Sequence, residues 1–275
     1  MFPTQSSRPF SIKTIGILGS GAIGSNVARL AINGGFQVVV SNSRGPETLK
    51  DLVQELGKNC CAGTVEETAR CADLVVLSVP LSAYKKLPVD ALRGKIVIDT
   101  MNYYPTRDGK FPELDEARIT SSEMVQDFLK DSIVVKTLHT QDSSHLFTNG
   151  RPKDVSSKRT TIPISGDDYQ AKKIVTSFLN SIGYNVIDAG TLADSWKVEP
   201  GTPIYVWPYA PDVPNDLSDE EQQKYYVDTP APPISQEEAR DLIEHTTQRK
   251  FPVGGFLDEL PKAWVGLVTE KLSKV

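Results

Sequence analysis

Cysteine is scarce in this chain of 275 residues, and the three present, Cys60, Cys61 and Cys71, crowd into one short stretch. That spacing offers no disulfide framework, and no cysteine–histidine set falls at the spacing of a zinc site. A reducing compartment follows, and the expected location is cytoplasmic. Long hydrophobic runs are missing too, so no membrane span is expected. The amino-terminal stretch lacks the apolar run of a secretory signal, and residues 1–12 read as a flexible arm. No basic block stands out and the formal net charge is −5, which argues against nucleic acid as a partner. Any phosphate site must then be a local arrangement of backbone N–H groups and a few cations. A Ser-His-Asp order, a metal-ligand cluster and a Tyr-x-x-x-Lys element are likewise absent.

What is present is alternation. Thr14–Leu18 is a short apolar run followed by glycines and reads as a buried strand. Ile23, Val27, Leu30 and Ala31 recur at helical spacing up to Asn33, where Gly34 and Gly35 stop the helix. Further strands are expected over residues 37–40, 74–79, 95–98, 132–138, 160–164 and 184–187, and helices over 46–56, 121–129 and 168–181. The expected fold class is α/β, a Rossmann-type doubly wound, mostly parallel sheet filling residues 13–192. After Gly190 the character changes. Proline-rich segments at 207–214 and 229–233 bracket an acidic stretch at 216–221. Ser235 and Glu238 have capping-box spacing, and residues 257–272 read as a last helix. Residues 193–275 therefore read as a helical, proline-rich C-terminal extension.

The loop Gly19-Ser20-Gly21-Ala22-Ile23-Gly24 carries the most information. A lone G-x-G-x-x-G is weak, but this one leaves a strand and opens a helix. Gly19 permits the tight turn, Gly21 removes a side chain where a pyrophosphate approaches, and Gly24 lets the helix lie close to the strand. Free N–H groups and the helix dipole then face the phosphates. The second strand ends in Ser41-Asn42-Ser43-Arg44, with no carboxylate for a ribose 2′-hydroxyl. Arg44 can pair with a 2′-phosphate, and Ser41 and Ser43 can donate to it. NADP(H) is the expected cofactor.

In an open parallel sheet the ligand sits beyond the carboxyl ends of the strands. Val79, Pro80 and Leu81 are expected to flank the adenosine or nicotinamide ribose side of the cofactor, and Thr100 and Asn102 are short polar groups suited to its nicotinamide side. Asp99 is read as a turn cap before a catalytic group. His139, at the end of another strand, is the candidate proton donor, and packing is an equal reading of it. Trp196, Tyr205, Trp207 and Tyr209 read as packing residues of the extension before walls of an acceptor site.

In order, these residues run through the glycine loop, Ser41-Asn-Ser-Arg44, residues 73–80, residues 92–102, Pro163-Ile-Ser-Gly-Asp-Asp168 and residues 183–192. Together they resemble the NADPH-dependent coenzyme F-420 reductase family, which is related to the NADPH-binding domain of STEAP-type metalloreductases. The resemblance covers residues 13–192. It implies hydride exchange between NADPH and a flavin-like ring, commonly in a homodimer, with no obligatory side-chain acid or base. It also implies that Gly19, Ser20, Ala22 and Ile23 line the pyrophosphate, Ser41, Ser43 and Arg44 the 2′-phosphate, and Asn102 the nicotinamide. The sequence departs from the family at Tyr103-Tyr104-Pro105, at Leu138-His139-Thr140 and in its long tail. Those departures fall where the second substrate would sit.

The function expected is an NADP(H)-dependent oxidoreductase with a small-molecule hydride acceptor. That acceptor is a flavin-like ring, a deazaflavin, or a small carbonyl or imine. The alternative of a different class is a non-catalytic NADP(H) sensor acting through a partner.

Overall fold

The structure is a computed structural model that describes residues 12–249 and 251–254. The expected arm, apart from Ile12, and the expected helix at 257–272 lie outside the described residues. The first half of the chain runs β1 (Thr14–Leu18), α1 (Ala22–Asn33), β2 (Gln37–Ser41), α2 (Lys50–Leu56), β3 (Cys60–Ala62), α3 (Val65–Cys71), β4 (Leu74–Leu77) and β5 (Ile96–Asp99). It continues with α4 (Ser121–Phe128), β6 (Ile133–Lys136), α5 (Ser143–Thr148), β7 (Thr161–Ile164), α6 (Tyr169–Ser181) and β8 (Asn185–Asp188). The extension adds α7 (Asp219–Asp228) and α8 (Gln236–Glu244).

Six strands form one parallel sheet in the order β3-β2-β1-β4-β5-β6. The order reverses between β1 and β4, which opens a crevice at their carboxyl ends. Apolar runs such as Leu74–Leu77 are buried throughout because helices cover both faces of the sheet. One face packs on α1 and α6 through Val27, Leu30, Val175 and Phe178. The other packs on α3 and α4 through Ala69, Val125 and Leu129.

The sheet is not continuous through residue 188, as the sequence pattern implied. β7 and β8 pair only with each other, in parallel. A single antiparallel bridge, Lys136 to Ser165, ties them to the end of β6. Along the outer edge of β6, Gln126 fills the vacant pairing positions. Its Oε1 accepts from Val134 N at 2.9 Å and its Nε2 donates to Ser132 O at 2.9 Å.

β3 and α3 were not anticipated, because three residues are too few for a period. The start of α3 is nonetheless written in sequence as the capping box Thr64–Glu67. The acidic stretch at 216–221 likewise proves to be the entry of α7, capped by Ser218 with Glu221. The Ser235–Glu238 box opens α8 as expected. The extension is sewn to the body. Tyr226 of α7 donates to the buried Asp142 carboxylate at 2.8 Å, and Tyr209 donates to Thr161 O at 3.2 Å. No helix among the described residues is long and apolar enough to cross a membrane.

Candidate dinucleotide site

Three glycines of the first loop divide the work. Gly19 has φ +103°, and a Cβ there would stand 2.1 Å from Ser78 O. A Cβ on Gly24 would stand 1.9 Å from Gly19 O. Both residues are required by the protein's own packing. Gly21 is different, because a Cβ there would meet nothing within 4 Å. Nothing in the protein's own packing requires a glycine there. No side chain caps α1 and its first turn holds no acidic residue, so its leading N–H groups face outward uncontested. Ser20, Gly21, Ala22 and Ile23 line this open end.

The end of β2 corrects one expectation. Ser41 is fully buried and its Oγ donates to Ile17 O at 3.0 Å, while its carbonyl accepts from Gly19 N at 3.0 Å. Ser41 therefore builds the loop and has no hydroxyl to offer a phosphate. Asn42 also shapes the turn, accepting from Arg44 N and donating to Thr48 Oγ1, both at 2.9 Å. Ser43 and Arg44 remain exposed on the rim. Beyond β4, Pro80 is exposed and Val79 half-buried, but Leu81 is fully buried in the second core. Leu81 offers a cofactor no side chain, which corrects its expected role.

The far end of the crevice is assembled from distant segments. Asn102 Nδ2 donates to His139 O at 2.9 Å and to Tyr205 Oη, from the extension, at 3.3 Å. Tyr205 Oη in turn meets Tyr104 Oη. Asn102 Oδ1 is buried with no partner. The Arg107 guanidinium lies 4.8 Å from the Tyr104 ring centre and donates to Asn102 O at 2.7 Å. Asp108 then ties two loops together, accepting from Tyr104 N at 3.0 Å and from Ser82 N at 3.4 Å. Burial raises the pKa of both phenols, so both keep their protons at neutral pH.

His139 is only 2% exposed. Its Nε2 lies 2.9 Å from Val198 O, to which it can only donate, and Nδ1 is buried without a partner. Burial, with the Lys136 charge, holds its pKa well below 6.5, so the ring is neutral. Its one N–H proton is committed to the extension's backbone. As placed, His139 docks the extension and holds no proton for a substrate.

Beneath this end lies a buried ion pair that the sequence reading missed. Lys136 and Asp99 are both fully buried, 3.4 Å apart. Asp99 accepts from Met101 N at 2.8 Å and Ser122 Oγ at 2.6 Å, the capping role expected of it. Lys136 Nζ donates to Met101 O, beside Asn102. The signal was a lysine closing an otherwise apolar strand. Strain collects here as well. Leu138 and Val206 have φ of +60° and +62°, and Val206 N donates to Thr140 O at 2.8 Å. Trp207 is half exposed and Tyr209 buried, so of the extension's aromatics named above only Tyr205 is bonded to Asn102. No cluster able to hold a metal ion occurs among the described residues.

Residues 14–103 match the family described as NADP oxidoreductase, coenzyme F420-dependent. The metalloreductase STEAP3 of Rattus norvegicus is 28% identical over 193 residues, 70% of this chain and 36% of that protein. The chain thus spans little more than a third of that relative's length. A hypothetical protein from Sinorhizobium meliloti superposes with a TM-score of 0.62 at 27% identity, over 71% of this chain and 93% of its own. A protein assigned as an F420-dependent NADP reductase, from Arthrobacter sp. FB24, gives a TM-score of 0.55 at 25% identity, over 66% and 86% of the two chains.

Proposed function

We propose that this chain, whose residues 14–103 carry a domain of the F420-dependent NADP oxidoreductase family, binds NADP(H) across the carboxyl ends of its sheet and exchanges a hydride with a small acceptor. The observation that carries this reading is Gly21. It stands bare over open space between two glycines that the protein's own packing requires. A pyrophosphate fits that gap, against the uncapped start of α1. Ser43 and Arg44 on the rim of β2 hold the 2′-phosphate, and no carboxylate at that strand end competes. Val79 and Pro80 line the middle, and Asn102 lies at the nicotinamide end. Hydride exchange between two held rings needs alignment and exclusion of water more than an acid or base. A committed, neutral His139 is consistent with that.

Calorimetry with NADPH and NADH tests the cofactor reading. Binding of NADPH at least about tenfold tighter than NADH is expected from one guanidinium–phosphate pair. No binding of either nucleotide would end the proposal. The acceptor is a flavin, a deazaflavin, or a small carbonyl or imine. NADPH consumption against a panel of these distinguishes them, and the likeness to a rat metalloreductase adds a metal ion to the panel.

A second reading draws on the way the extension closes over the ends of β5 and β6. Val198 covers His139, and Tyr205 reaches Asn102. A sensor that binds NADP(H) and signals through a partner would need that closure and no acceptor. Tight binding, no turnover with any acceptor and a nucleotide-dependent change in association would establish it. Pairing of two copies into a homodimer is proposed for either case and is read directly by light scattering.

A further inference from the structure

Two orphan groups lie side by side at the far end of the crevice, and they are opposite in kind. Asn102 Oδ1 is a buried acceptor without a donor. Its orientation is not ambiguous, because the other amide atom faces His139 O, which can only accept. The second orphan is a proton. Tyr104 and Tyr205 bring two phenolic O–H groups to one shared contact, and one proton fills it. Tyr205 Oη already receives Asn102 Nδ2 at 3.3 Å. Among the described residues no acceptor takes the remaining phenolic proton. Unmade hydrogen bonds of this sort are costly in a buried place and mark either a water or a ligand.

A ligand that satisfies both must offer an N–H donor and a carbonyl acceptor on one small group. A primary carboxamide does so. We propose that Tyr205 of the extension, with Tyr104, donates to the carboxamide oxygen of the nicotinamide while Asn102 Oδ1 takes its N–H. This rests on the NADP(H) reading above and goes beyond it, because it makes the extension part of the cofactor site. The body of the fold supplies Asn102 and Tyr104. Only the return of the chain 101 positions after Tyr104 supplies the partner phenol. Asp108 and Arg107 hold the Tyr104 loop in place, so the donor pair is set before any ligand arrives.

The test compares three nucleotides by calorimetry: NADP+, its 3-acetylpyridine analogue, which has a methyl group in place of the amide nitrogen, and 2′,5′-ADP, which has no nicotinamide. The native chain should bind NADP+ most tightly and the analogue more weakly. Tyr205→Phe keeps the ring and removes the hydroxyl. It should weaken NADP+ about tenfold, the scale of one hydrogen bond, and leave 2′,5′-ADP unchanged. Tyr104→Phe, on a half-exposed ring, should act in the same direction and covers the case in which the Tyr205 variant does not fold.

If the variants bind NADP+ as the native chain does, or lose both nucleotides alike, the inference is overturned. It also fails if the native chain binds NADP+ and 2′,5′-ADP equally. If the native chain binds none of the three, the NADP(H) reading itself has failed.

Discussion

The two ends of the crevice are made in opposite ways. The glycine-loop end is six consecutive residues, and what it presents is main chain. The far end is side chains drawn from three separated segments, residues 102–108, His139 and Tyr205, with Asn102 meeting Tyr205 across 103 positions. A local loop can be recognised as a string of letters, and it tolerates almost any sequence elsewhere. A pocket of distant side chains exists only once the chain has closed. Its chemistry can therefore change without disturbing the glycine loop.

The comparison can be broken first at the glycines. Gly24→Ala puts a methyl group into backbone and should cost at least about 3 kcal/mol of stability, read by urea unfolding. Gly21→Ala should leave stability within about 0.5 kcal/mol and weaken NADPH binding instead. If the two variants behaved alike, the distinction between an internal and an outward glycine would be wrong. At the other end the largest effect belongs to Lys136→Met. It strands Asp99 as a buried, unpaired carboxylate and should cost about 3–5 kcal/mol in the same measurement.

Arg44→Ala comes next. It should weaken NADPH about tenfold and leave NADH and the melting temperature unchanged, since only a charge-assisted contact to phosphate is lost. The smallest effect lies at His139. Above pH 6.5 its ring is neutral whether the chain is folded or unfolded. As pH falls through 6.5 the unfolded chain takes up a proton that the buried ring refuses, so stability drains away on the acid side. His139→Gln keeps a donor for Val198 O and should flatten that acid limb without altering stability at pH 8. An unchanged acid limb would show that His139 does not titrate as its burial demands.

Much of the fold was legible because its signals are periodic or local. Thr14–Leu18 fell where the apolar run placed it, and Asp168 was correctly sited at the head of the long helix, as its N-cap. The gap after Gly57 hid a three-residue strand and a short helix, although Thr64 and Glu67 announced the latter. The separation of β7 and β8 from the main sheet was not readable, because their apolar patterns match those of the other strands. In the site, the glycines were legible and the serines only half so. Ser41 and Ser43 look equivalent in sequence, but β2 ends at Ser41, whose side chain is buried against Ile17 O, and Ser43 falls in the exposed turn beyond the strand. Leu81 was misread for a similar reason: a residue at a strand's mouth can still point back into the core. Tyr205 carried no local mark at all.

Gln126 and Ser165 have a consequence for how this molecule meets its own kind. An edge strand with idle amides and carbonyls is a template on which a second chain can crystallise as another ribbon. Here the β6 margin is already spoken for, by an amide side chain halfway along and by a bridge at the tip. The opposite margin, β3, is only three residues long. Growth of the six-stranded sheet by ribbon-to-ribbon extension is thus denied on one flank and starved on the other.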